Sequence, residues 1–157
     1  MAENPLTVVR QMLQGYADRG IFRGFNEKRT KDRKNEFKFL WLTGQQMTLI
    51  YEGKKGTLRF KNLLPNVPSR SAMYLDLKTF LKEKFDGNLP KHRQIDRRLA
   101  EVECSNRGGK VSIALKVKRG KYQYGVNKIV NLIHEIFLFL RSSWPDYMWE
   151  NVDATKE

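Results

Sequence analysis

Apolar and polar positions along the chain fall into two periods. Leu6, Val9, Leu13 and Tyr16, joined by Val8 and Met12, recur at helical spacing, with Asn4 placed to cap, Pro5 in the first turn and Gly20 as a stop. From Glu36 to Leu42 the period shortens to two, with Phe37, Phe39 and Trp41 on one face and Lys38, Leu40 and Leu42 on the other. Met47, Leu49 and Tyr51 alternate in a second strand after a turn at Thr43-Gly44-Gln45. Leu58 and Phe60 alternate in a third after Gly53-Lys54-Lys55-Gly56. The polar stretch from Thr30 to Asn35 reads as a loop, and the three strands as an antiparallel meander.

Pro65 and Pro68 interrupt this pattern. Ser69 or Ser71 then caps a second helix with a narrow stripe of Leu77, Phe80, Leu81 and Lys84-Phe85, leaving Asp76, Lys78, Lys82 and Glu83 to water; Gly87 and Pro90 stop it. The stretch from Lys91 to Arg98 reads as a basic linker. Leu99 to Ser105 predicts a strand with Val102 and Cys104 on one face, and Gly108-Gly109 a hairpin turn. The cleanest alternation runs from Lys110 to Arg119: Val111, Ile113, Leu115 and Val117 inward, Lys110, Ser112, Lys116 and Lys118 outward.

The last helix is expected from about Val126 to Arg141. Asn127, Asn131, His134 and Glu135 form a polar strip along its otherwise apolar circumference, and adjacent His134 and Glu135 point too far apart to act together as an acid and base. A helix this apolar is expected to be buried on more than one side, against the sheet and another element or a second subunit. Ile129, Ile133, Ile136, Phe137 and Leu140 are therefore candidates for an interaction surface and a homodimer. The expected fold is α+β, one antiparallel sheet of about five strands with three helices in the order α-βββ-α-ββ-α. A single domain is expected over residues 1–143, with a C-terminal arm and acidic tail over 144–157.

Charge adds a partner class to this picture. Among 157 residues, 30 Lys and Arg face 17 Asp and Glu, a net charge of +13 that draws polyanions. The excess is concentrated: ten basic against three acidic residues from Lys91 to Lys121, and seven against three from Arg23 to Lys38. Candidate anion or nucleic-acid contacts are the loop residues Lys28, Arg29, Lys31, Arg33 and Lys34, and the hairpin residues Arg107, Lys110, Lys116 and Lys118. Tyr122 and Tyr124, interleaved with Arg119 and Lys121, are candidate stacking rings or rim tyrosines. Glu101 and Glu103 share the outer hairpin face, so cross-strand pairing competes with phosphate contact there.

The remaining chemistry is sparse. One cysteine, Cys104, excludes an internal disulfide, and two histidines leave little for a zinc site. The longest strictly apolar run, Ile136 to Leu140, is far short of a membrane span, and Met1 to Pro5 lacks the basic start of a signal peptide. No nucleophile motif or glycine-rich phosphate loop occurs, so no enzyme, cofactor or metal is expected, and the protein is expected in the cytoplasm.

The element order from Pro5 to Arg141 resembles the type III secretion chaperone-like fold and the bacterial YbjN-type proteins similar to it. That resemblance implies a small cytosolic homodimer holding an extended, unfolded stretch of a secreted partner on exposed apolar surface. The expectation is a non-catalytic protein-interaction or chaperone-like module; the alternative is a nucleic-acid-binding domain using the basic hairpin face.

Overall fold

A computed structural model describes residues 4–30, 34–42 and 45–153. Its elements are α1 (Pro5–Asp18), β1 (Arg23–Arg29), β2 (Asn35–Leu40), β3 (Gln46–Glu52), β4 (Thr57–Leu64), α2 (Ala72–Glu83), β5 (Ala100–Arg107), β6 (Lys110–Val117), α3 (Tyr122–Ser143) and α4 (Pro145–Met148), closed by a π-helical turn over Trp149–Asp153. The strands form one sheet in the order β1-β2-β3-β4-β6-β5, every neighbouring pair antiparallel. The α+β class and single sheet are as expected, with six strands instead of about five and one short extra helix.

The additional strand is β1. Its sequence, Arg-Gly-Phe-Asn-Glu-Lys-Arg, has one large apolar residue, so it shows no alternation. Tertiary contacts hold it in place: Phe25 rests on Phe37 and Phe39, and Glu27 is gripped by Arg10 of α1 at 2.5 and 2.8 Å and by Asn35 at 2.8 Å. Lys28 and Arg29 thus stand in an edge strand rather than in the expected loop, while Lys31 and Arg33, like Thr43 and Gly44 of the expected turn, lie outside the described residues.

Registers explain which residues make the core. Phe37 opposes Leu49, Leu49 opposes Phe60, Phe60 opposes Ile113 and Ile113 opposes Cys104, so one row of largely apolar side chains crosses five strands on the same face. The helices cover that face. Asn4 caps α1 by accepting from the Leu6 N–H at 2.9 Å, and Gly20, at φ +78°, ends it in a Schellman turn in which Ile21 N–H bonds Tyr16 O. Ser71, the second of the two expected caps, accepts from the Tyr74 N–H at 3.2 Å and starts α2.

The long helix α3 begins at Tyr122, earlier than its apolar run suggests, and Gly125 lets it approach β6 closely: a Cβ there would stand 2.6 Å from Val117 Cγ2. The chain after α3 folds onto the body. Met148 and Val152 are buried, Trp144 Nε1 donates to Asp76, and Arg141 forks onto Asp153 at 2.8 and 3.0 Å. Among the described residues no helix is long and apolar enough to cross a membrane.

Candidate interaction surfaces

The apolar arc of α3 is not a surface. Ile129, Ile133, Ile136 and Leu140 are fully buried and Phe137 is nearly so, all within the chain's own core between α1 and the sheet. The expected homodimer is thereby left without the face the sequence assigned to it. The two tyrosines are equally occupied. Tyr122 is buried edge-on to Tyr51 at 5.8 Å, and Tyr124 accepts the Asp96 N–H at 2.8 Å beneath the Lys128 ammonium, so neither ring is free to stack on a base.

The expected basic surface divides. Arg107 pairs with Lys110 at one end of the β5–β6 hairpin, whereas Lys116 and Lys118 stand at the other. Six residues of strand put about 20 Å between Lys110 and Lys116. Lys118 is held by Glu101 at 2.7 Å, and Lys116 stands opposite the same carboxylate, so cross-strand pairing takes up part of this charge. Lys28, Arg29 and Lys34 lie toward the far edge of the sheet, where Lys34 meets Glu52 at 3.8 Å.

A second surface, absent from the sequence reading, lies between α2 and β5. Lys78, Leu81, Lys82, Phe85, Arg97, Val102 and Cys104 line a groove of about 420 Å³. The helical stripe of α2 builds one wall, burying Leu77 and Leu81 while Phe85 caps its end; Val102 and Cys104 form the other. Tyr74 lies behind, its hydroxyl 3.8 Å from Cys104 Sγ. Burial pushes the Tyr74 phenol up to about 12 and the Cys104 thiol upward, so both are neutral, weakly polar groups at neutral pH. Cations stand at both ends of these apolar walls: Lys78 above the Tyr74 ring at 4.9 Å, Arg97 above the Phe85 ring at 4.3 Å.

The strand beside this groove has an open edge. The Lys118 N–H bonds Leu99 O, which fixes the phase of the ladder: Glu101, Glu103, Ser105 and Arg107 turn their backbone groups to β6, and Ala100, Val102, Cys104 and Asn106 turn theirs outward. Asp96 O occupies the Ala100 N–H, and the Asn106 side chain ties to Val67 and Gly109. Among the described residues nothing closes the edge at Val102 and Cys104 between them. By contrast, the outer edge of β1 carries a bulge between Arg23 and Asn26 and a charged sequence, both of which discourage pairing.

One further group escaped the sequence reading. Lys84 is 2% exposed, in contact with Glu135 and over the Phe80 ring, and Arg93 approaches the same carboxylate at 3.8 Å. Lys128, also buried, donates to the carbonyls of Lys91 and His92. Glu135 is thus the counter-charge of a buried lysine, not part of a solvated strip. Among the described residues no three side chains with metal-ligating groups converge. No protein-family model matches the chain, and no curated protein or solved structure matches it.

Proposed function

We propose that the chain is a non-catalytic, chaperone-like interaction module of the cytoplasm that holds an extended segment of another protein as an added strand along β5. The observation that carries this reading is the open backbone edge at Val102 and Cys104 directly above the groove between α2 and β5. An added strand takes its main-chain hydrogen bonds from that edge and drops alternate side chains into the groove. Apolar walls favour apolar residues in the middle of such a segment, and Lys78 and Arg97 favour acidic residues at its two ends. On the opposite face the segment lies beside Glu101 and Glu103, which favour neutral or basic residues. The element order resembling secretion chaperones supports the same class of activity.

The test uses two labelled peptides with threonine at alternate positions. One carries Glu-Val-Val-Glu at the groove-facing positions, the other Lys-Val-Val-Lys. Fluorescence anisotropy should show the acidic peptide binding at least tenfold more tightly. Val102→Pro removes an N–H that bonds nothing within the sheet, a change tolerated on an edge strand, and should abolish binding while leaving the circular dichroism spectrum intact. Equal affinity for the two peptides, failure of both to bind, or undiminished binding by Val102→Pro would each overturn the assignment.

A further inference from the structure

Part of the chain's charge excess gathers at one end of the sheet, the pole at which β6 runs out. The β3–β4 turn, Gly53 to Gly56, lies against the end of β6, with Val117 N–H bonding Gly56 O at 2.8 Å. Lys54 and Lys55 project from that turn, both exposed. Immediately beside them β6 leaves the sheet through Lys118-Arg119-Gly120-Lys121. Lys121 N–H bonds Lys118 O, and Arg119 and Gly120 have φ of +57° and +65°, which makes a type I′ turn. An arginine is an unusual first central residue for such a turn, since an L side chain resists the left-handed region. The effect is to thrust the Arg119 guanidinium outward next to exposed Lys121.

Arg97 joins from the segment before β5, its carbonyl accepting from Lys118 Nζ. Among the described residues the carboxylates beside these groups are those of Asp96, Glu101 and, at the head of the β3–β4 turn, Glu52, and each already has a cation, Glu52 meeting Lys34 at 3.8 Å. Arg98 holds Asp96 below its ordinary range, with Arg119 adding to the effect. Lys118 does the same for Glu101, with Lys116 and Arg97 adding. Lys54, Lys55, Arg97, Lys116, Arg119 and Lys121 have no carboxylate within ion-pair distance among the described residues.

We propose that this pole binds the phosphate backbone of duplex nucleic acid without reading its sequence. Three strand spacings separate the β3–β4 turn from β5, about 15 Å, over which a duplex presents roughly nine phosphate charges. Tyr122 and Tyr124 are occupied within the fold and the Phe85 ring lies under Arg97, so among the described residues these rings do not stack on an unpaired base, and contact is with the backbone. An anionic membrane surface would be met by cations together with inserting apolar side chains. The large exposed apolar residues, Ile21, Leu75, Leu138 and Trp149, lie elsewhere; Leu138 is about 24 Å along α3 from the pole. The surface also differs from the groove beside α2 in what it selects, many regularly spaced phosphates against a few carboxylates.

The experiment is a salt titration of the full chain with a fluorescein-labelled 20-base-pair DNA duplex, read by anisotropy. Contacts to four to six phosphates give log K against log salt a slope of about −4 to −5. Lys54→Gln with Lys55→Gln should weaken binding at least tenfold at 100 mM salt and flatten the slope by about 2. Arg107→Gln with Lys110→Gln removes the same charge at the opposite end of the hairpin and should change little. Arg119→Gly keeps the turn and relieves its backbone, so loss of affinity there reports the missing charge and not misfolding. Three results would overturn the proposal: no duplex binding, equal losses from the two double variants, or equally tight binding of polyglutamate or phosphatidylserine vesicles.

Discussion

Lys84 shows how far a residue's chemistry depends on a neighbour that its own sequence window does not contain. Its ammonium is withdrawn from water, and burial, with the positive charges of Arg93 and Lys128, works against its protonated form. Adjacent Glu83 works the other way, and Glu135, fifty-one positions away, makes the direct contact with the ammonium. A buried pair of this kind is costly to break and cheap to replace. Glu135→Gln leaves the charge without its counter-ion and should cost about 3 kcal/mol in urea unfolding. Lys84→Met removes the charge itself and should leave stability unchanged or raised, and in the Lys84→Met background the Glu135→Gln cost should largely vanish. A full cost persisting in that background would show that Glu135 acts through something other than Lys84.

At the scale of elements, the sequence is most readable where burial is one-sided and local. β6 alternates residue by residue, and Val111, Ile113, Leu115 and Val117 all reach the core. β1 offers Phe25 alone and is held by Arg10 and by its pairing with β2, interactions that a window of seven residues does not contain. For α3 the sequence correctly indicates burial on several sides but not what does the burying: α1 and the sheet enclose Ile129, Ile133, Ile136, Phe137 and Leu140 within one chain. The groove was illegible for a related reason, since Leu81 and Val102 meet only once α2 is laid beside the sheet edge. The basic pole was half legible, with Lys116 and Lys118 readable on an outer strand face while Lys54 and Lys55 read as turn residues. The close approach of α3 to β6 at Gly125 yields its own prediction. Gly125→Ala places a methyl group into Val117 and should destabilise the fold by about 1–3 kcal/mol. Val117→Ala in the same chain makes room, so the double variant should lose less than the sum of the two single variants; strict additivity in thermal unfolding would mean that α3 does not rest on β6 at that point.

At the scale of the whole molecule, the groove and the basic pole have one residue in common. Arg97 closes the Phe85 end of the groove and also stands among the unpaired cations beside Lys116 and Lys118. A guanidinium drawn toward phosphate is less available to a carboxylate at the end of a bound strand. The two ligands should therefore oppose each other, and because coupling free energies are reciprocal, each should weaken the other by the same factor. With a single shared cation that factor is small, about threefold to tenfold at 50 mM salt, and screening should reduce it as salt rises. Arg97→Gln should weaken both ligands moderately and remove the coupling, since each site keeps its other contacts. Titrating the acidic peptide at increasing duplex concentration separates the arrangements: a plateau in apparent affinity means linked sites, unlimited competition means one overlapping site, and no change at all means that Arg97 serves at most one of them.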